Sequence, residues 1–369
     1  MRTRLALVTT LCLAGPLAAQ GSTALYSRWN GLSGFDYQGY HFTGNVGVTD
    51  ASQWSIPVVV VAPLGRKMSV DLTTRLAHSE ISNGASETLT GLTDTQLRLL
   101  YTLSRDRAVA SLSLNLPTGK HSLSTSEFQV SSAVGSNFLS FPVSSLGTGF
   151  GITGGLAYAV QTGGWNLGFA GSMRYVGSYR PFSDQSLSYK PGLEGRLRAG
   201  ADRLIGQRSR LLVGLTYSTF STDQFSGTGT VAGGWYNPGS RVIGDLGYAY
   251  TWGRTTISIT AWDFYRLGGR STLSGTDTKE NVFNTELRVA RQLSPRLVLE
   301  PLVGFRQWNP ASYLGGRLYS FGVNGRLGIN DQLSALVSAR FGPGWVSQPG
   351  VGRADVTATG LSLFVRYQR

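Results

Sequence analysis

The chain predicts an all-β fold, a transmembrane antiparallel β-barrel of about sixteen strands, with about fourteen as the alternative. Three observations predict it. From Trp54 onward, apolar and polar residues alternate in paired runs joined by tight turns, with no helical stretch between them. An export signal stands before these runs, and the last residues of the chain form one more alternating strand. Lipid cannot satisfy open strand edges, so such strands cross a membrane only as a closed barrel.

The export signal comes first. Met1-Arg2-Thr3-Arg4 is basic, Leu5 to Leu17 is mostly apolar, and Leu17-Ala18-Ala19 offers small residues for cleavage before Gln20. The apolar run is too short to span a bilayer as a helix. Residues 1–19 are therefore expected to be removed, and residues 20–369 to form a single barrel domain in the bacterial cell outer membrane. The one cysteine, Cys12, lies inside the signal and lacks the small residue before it that a lipoprotein needs. Disulfides and thiolate metal sites are excluded from the mature chain.

The strands follow in order. The first is expected around Tyr37 to Val48, bringing both termini to the periplasm. The clearest unit is Leu97 to Pro117. Leu97, Leu99, Tyr101 and Leu103 share one face, with Gln96, Arg98 and Thr102 on the other. A turn at Ser104 to Arg107 leads into a return strand with Leu112, Leu114 and Leu116 opposite Ser111, Ser113 and Asn115. Neighbouring strand residues point to opposite faces, so one face meets lipid and the other water. Leu361, Leu363, Val365 and Tyr367 alternate with Ser362, Phe364 and Arg366 at the end of the chain. Barrels commonly end in such a strand with a terminal aromatic, which the barrel-assembly machinery reads; here the aromatic, Tyr367, stands just short of the last residue.

Short turns are expected at Leu64 to Lys67, Ser104 to Arg107, Thr162 to Gly164, Gly206 to Ser209, Trp252 to Arg254, Ser294 to Arg296 and Asn330 to Gln332. Longer connections alternate with them at Glu80 to Thr93, Thr118 to Gly147, Gly177 to Lys190, Ser221 to Gly239, Arg266 to Lys279, Asn309 to Gly315 and Gly342 to Ala354. Short turns are periplasmic and long loops extracellular in outer-membrane barrels. The 49 glycines suit turns and close strand packing, and the 8 Trp, 16 Tyr and 16 Phe suit interfacial girdles.

The polar faces carry the charge. Arg75, Arg98, Arg174, Glu194, Arg196, Arg198, Asp245, Glu286, Arg288, Glu300, Arg306, Arg326 and Arg340 are expected to line the lumen. A charge on the lipid face near the midplane costs roughly 2–4 kcal/mol, so inward placement is nearly forced. Two readings stand for this set: a charge ladder that stiffens a wide barrel, and a path on which excess arginines attract carboxylate or phenolate groups. The formal net charge is +13. Its arginines are spread over lumen and turns rather than gathered in a patch, which argues against a nucleic-acid partner.

Thr118 to Gly147 is the longest connection, and it mixes apolar residues with serines. Phe128, Phe138 and Phe141 are candidates for a constriction if it folds inward, as against packing on the rim. His41, His78 and His121 are isolated, and the serines beside His78 and His121 point to the opposite face, so no catalytic pair, metal site or cofactor site is expected.

Gly91-Leu92-Thr93-Asp94, the hairpin after it, and Leu116-Pro117-Thr118-Gly119-Lys120 resemble the outer-membrane family named for the MetA pathway of phenol degradation. That family has a G-x-G-D strand start and an L-P-T-G strand end; here Thr93 replaces the second glycine. The resemblance runs from about Trp54 to Tyr265 and includes the Tyr-x-Pro-Gly strand starts at Tyr189 and Tyr236. It implies an architecture related to the long-chain fatty acid transporters of the outer membrane, passage of small hydrophobic or aromatic compounds, and no catalytic residues. Pro117 and Gly119 also suit a purely structural corner. The expected partners are outer-membrane lipid, a small-molecule solute and the assembly machinery. A closed structural or adhesive barrel is the alternative, and an outer-membrane hydrolase a remote one.

Overall fold

A computed structural model describes residues 28–44, 47–103, 107–228, 233–272, 275–276, 279–310, 315–348 and 352–369. The expected export signal and most of the Ser104 to Arg107 turn lie outside the described residues.

The chain opens with β1 (Asn30–Thr43), β2 (Asp50–Pro63) and β3 (Met68–Ser82). The first strand thus begins and ends earlier than the Tyr37 to Val48 expected. It is fixed on both sides, by β2 and by the last strand, and Gly44 at φ +113° turns the chain out of it. Next come β4 (Ser86–Leu92), β5 (Thr95–Thr102) and β6 (Ala108–Leu116). β4 and β5 occupy one place beside β3: Leu76 pairs with Leu92 and Thr73 with Gln96, so two residues face the three from Thr93 to Thr95. That is a one-residue bulge. After α1 (Thr125–Val134) follow β7 (Gly151–Thr162), β8 (Trp165–Val176), β9 (Leu187–Lys190), β10 (Glu194–Ile205) and β11 (Ser209–Phe220). Then come β12 (Asp223–Gly227), β13 (Trp235–Asn237), β14 (Arg241–Trp252), β15 (Thr255–Arg266), β16 (Arg270–Ser271) and β17 (Gly275–Thr276). The chain finishes with β18 (Glu280–Gln292), β19 (Leu297–Pro310), β20 (Gly315–Gly328), β21 (Leu333–Gln348) and β22 (Gly352–Gln368).

All pairings in the main sheet are antiparallel, and β1 pairs with β22 from Asn30–Gln368 to Thr43–Asp355, which closes the barrel. The sheet has 17 segments; with β4 and β5 sharing one place, the wall has sixteen strands, not fourteen. Leucines and aromatics face outward along every part of the wall, with Leu197 64%, Phe169 52% and Leu363 51% exposed. Water would penalise so large an apolar surface, and lipid does not. Trp29, Trp165 and Trp252 stand at the periplasmic ends of their strands, where amphipathic rings suit the interface. The closed, apolar-banded barrel places the protein in the bacterial outer membrane.

The periplasmic turns are tight. Gly163 and Gly164 both have positive φ, 54° and 80°, in a two-residue hairpin loop whose backbone twist matches the flanking strands. Three expected long connections prove short. β3 and β4 are joined across Asn83–Gly84–Ala85, with Gly84 at φ +80°, so most of Glu80 to Thr93 is strand. β21 and β22 likewise extend into Gly342 to Ala354, and β19 reaches Pro310. The alternation of short and long is therefore not strict. The strands on that side of the barrel stand taller, and above the lipid their outer residues are polar.

All four remaining connections hold structure of their own. β9, β12, β13, β16 and β17 form a separate five-stranded sheet at the extracellular end. The expectation that no helix interrupts the strands fails at α1. Ser124 caps it, accepting a hydrogen bond from the Glu127 backbone amide while the Glu127 carboxylate accepts one from the Ser124 amide.

Candidate functional site: the lumen and its inward loop

The two quoted motifs meet at one corner. Asp94, within the bulge, accepts hydrogen bonds from the Gly119 amide at 3.0 Å, the Thr148 amide at 2.7 Å and the Asn115 side chain at 2.8 Å. The Thr118 hydroxyl accepts from the Thr95 amide at 2.8 Å. A side chain at Gly119 would collide with the Leu146 carbonyl and the Asp94 amide. G-L-T-D and L-P-T-G thus clamp both ends of the connection between β6 and β7. The Tyr-x-Pro-Gly starts work alike: Gly192 lies against Ser221 and Gly239 against Leu267, with no room for a Cβ.

From that corner the loop turns into the barrel. Val130 and Val134 of α1 are buried with Ala77, Ile81 and Leu89 of the adjacent wall. The segment after α1 then crosses the inner face of β1 and β2 toward β19. The Gln53 amide donates to the Val143 carbonyl at 2.8 Å and its oxygen accepts from the Val143 amide at 2.8 Å. Phe141 meets Tyr40 edge-on at 5.2 Å, and Phe138 stacks on Trp308 at 5.6 Å. At the far side the Arg306 guanidinium donates to the Phe138 carbonyl at 2.8 Å, and Asn137 donates to Glu280, which also accepts from the Trp308 indole. Of the expected constriction residues, Phe138 and Phe141 are buried in this cluster. Phe128 is not: it is 44% exposed and its ring leans on Phe182 of the next extracellular loop, 5.0 Å away.

The same loop is tied to the extracellular sheet. Its Leu123 pairs with Phe182 in an isolated parallel bridge, and His121, Tyr179, Tyr189 and Phe225 form a chain of ring contacts. Tyr189 donates to the Asp223 carboxylate at 2.6 Å. Burial, then the neighbouring carboxylates, push the Tyr179 phenol up to about 12, and burial followed by the Asp223 hydrogen bond raises that of Tyr189 as well.

Several of the expected charged residues fall on the strand face opposite exposed apolar side chains such as Met173, Leu197 and Leu287. Most are brought together in pairs. Arg98 donates to Asp71 through Nε at 2.8 Å, Arg196 to Glu194 at 2.6 Å, and Arg198 to Asp245 at 2.9–3.0 Å. The last pair lies over Gly214, where a Cβ would strike both side chains. Glu286 holds Arg288 and, at 2.9 Å, Arg340. Glu300 accepts from Asn324 at 2.8 Å and stands 3.9 Å from Arg288. Arg75 reaches Ser55 at 3.4 Å, and Arg306 serves the loop. Arg174 and Arg326 join no carboxylate among the described residues.

Sequence reading missed several inner-face residues. Tyr40 and Gln53, which hold the loop, were hidden because a buried polar residue looks like any lumen residue in an alternating strand. Phe220, under the Arg241 guanidinium at 4.7 Å, was hidden because an inward ring breaks the polar pattern. Its parity with Ser218 and Thr216 was the available signal. By register Trp262 and Phe264 share that inner face, opposite Asp245 and Ile243.

No family model matches the chain, and no curated protein matches it. Among solved structures it is similar to a FadL homologue of Pseudomonas aeruginosa, at 9% identity and TM-score 0.47, over 95% of this chain and 93% of that one. It is also similar to the CymD monoaromatic hydrocarbon channel, at 8% identity and TM-score 0.45, over 94% and 91%. A third is an anion-selective porin from Comamonas acidovorans, at 9% identity and TM-score 0.43, over 92% and 98%. At these identities and scores the likenesses carry no argument about what this chain transports. Its own geometry is that of a channel-like outer-membrane barrel.

Proposed function

We propose that this barrel is an outer-membrane diffusion channel for small hydrophobic, mainly aromatic, compounds. The observation that carries the reading is the asymmetry of the lumen. The loop is packed onto the inner face of β1 to β4 and β19 to β22, which narrows the bore. The inner face of β10 to β15, with Phe220, Trp262 and Phe264 beside arginines, is left uncovered by it. A narrowed passage with rings and a few charged groups suits small flat solutes better than bulky polar ones. The resemblance of the G-L-T-D and L-P-T-G runs to the phenol-degradation family supports the same solute class.

A second reading has its own observation in favour: the loop is a well-packed apolar plug, and the five-stranded sheet stands at its mouth, as in a closed structural barrel. Purified protein in planar bilayers and in vesicles separates the two. The channel reading expects discrete conductance steps and entry of benzyl alcohol into loaded vesicles. A barrel silent in both assays, including after removal of Thr118 to Gly147, belongs to the closed reading.

A further inference from the structure

Resting on that channel reading, we infer that the preferred permeant is an aromatic carboxylate rather than a neutral hydrocarbon, handed between guanidinium-and-ring stations at the two ends of the lumen. Two independent features carry this.

The first is how the ion pairs are oriented. In three of the pairs the carboxylate is buried against the wall while the guanidinium stays exposed. Asp71 is 6% exposed and Arg98 39%; Glu194 is 12% and Arg196 40%; Glu286 is 8% and Arg340 40%. The pairs are neutral in sum, yet the surface they present to a solute is cationic. A low-dielectric wall focuses that field into the lumen. A pure stiffening ladder needs no such order, since acid and base could be exchanged between strands without changing the pairing.

The second is the placement of arginines beside inward rings. Toward the extracellular end, Arg241 lies over the Phe220 ring at 4.7 Å, in line across the strands with Arg196 and Arg266, which are paired with Glu194 and Glu280. Toward the periplasmic end, Arg326 and Arg366 flank β21, opposite Leu336 and Ser334, and Phe364 is the partner of Leu336 across the sheet. Among the described residues neither guanidinium has a hydrogen bond or ion pair. Like charges placed on neighbouring strands repel. A planar carboxylate offers what is missing, two oxygens in the geometry of the guanidinium fork. The adjacent ring in each station suits an aromatic body. Simple anions would need the arginines but not the rings, and hydrocarbons the rings but not the arginines.

The test uses the full-length mature barrel in vesicles and planar bilayers at neutral pH, with benzoate and benzyl alcohol as solutes of similar size. The expected results are a reversal potential in a KCl gradient that favours chloride, benzoate influx several-fold above benzyl alcohol, and block of chloride current by benzoate at lower concentration than by acetate. The double change Arg326→Gln with Arg366→Gln, or Arg241→Gln alone, brings benzoate influx down toward that of the alcohol and leaves the alcohol unchanged. A cation-favouring potential, or benzoate no faster than benzyl alcohol in a barrel that admits the alcohol, overturns the inference while the channel reading stands. Equal block by benzoate and acetate overturns the aromatic part. Silence toward both solutes overturns both proposals. The wild-type comparisons stand even if a variant fails to fold.

Discussion

The inner face of the barrel is built in two ways. Beneath the inward loop, Gln53, Ala77, Val130 and Phe138 are at most 2% exposed, and Gln53 matches both backbone groups of Val143. On β10 the Arg196 side chain is accessible at 40% exposure, while its partner Glu194 is 12% exposed. One wall is made like the core of a soluble domain, the other like a lined passage. Alternation alone dictates only that polar residues face inward. What covers them decides which wall becomes a core.

The sharpest way to break this contrast is to remove a ring from each wall. Phe138→Ala is expected to cost about 3–5 kcal/mol, because the ring is buried and stacked on Trp308. Phe220→Ala is expected to cost no more than about 1 kcal/mol, because its ring is only partly covered, while solute influx falls. Urea unfolding in detergent, read by gel mobility of folded and unfolded forms, gives both values. Equal losses would mean that the two walls are not different in kind. A second comparison sets a charge against a small polar group on the lipid face. Leu197→Arg, at an outward position between inward Arg196 and Arg198, should cost roughly 2–4 kcal/mol and lower the yield of inserted barrel. Ala199→Ser, two residues on, should be nearly silent in the same assay. A smaller effect is expected at the clasp between loop and wall. Gln53→Ala leaves both backbone groups of Val143 without partners, costing about 1–3 kcal/mol. Single-channel conductance should rise, or become noisy, as the loop loosens.

Much of this was legible beforehand, for identifiable reasons. The strands from Leu97 to Leu116 and the final strand show clean alternation because each has lipid on one side and polar lumen on the other. The mixture of phenylalanines and serines after Gly119 marked a loop that needs cover, and Phe138 and Phe141 are covered. Phe128 sits on the outer side of α1, and the only trace of that helix was Ser124 three residues before Glu127, easily lost in a serine-rich run. The Asn83-Gly84 hairpin was obscured for another reason. Above the lipid, outward residues such as His78 and Glu80 are polar while inward Ala77 and Ile81 are apolar beneath the loop, so the pattern of the strand inverts. The segments of the extracellular sheet, from two to five residues long, are too short to show any period.

The smallest expected effect concerns that extracellular sheet. Tyr179 and Tyr189 hold their protons more tightly when folded than the ordinary value of 10.0, so the unfolded form gains as pH rises past that value. Their contribution is complete below it and is lost as pH climbs through about 12, where Tyr179 ionises in the folded state. Limited proteolysis of the extracellular segments should therefore be flat from pH 6 to about 9 and accelerate only beyond, with the barrel wall resistant throughout.

The central claim, that one wall is sealed by the loop and the other lines an open path, is tested most directly by thiol accessibility. The only native cysteine is Cys12, within the expected export signal, so the mature barrel offers no background. Arg196→Cys and Gln53→Cys are made separately and treated in a conducting bilayer with a charged, water-soluble methanethiosulfonate. Rapid labelling of Arg196→Cys with a step down in current, and none at Gln53→Cys on the same time scale, is the predicted result. Equal labelling of the two, or of neither, would contradict it.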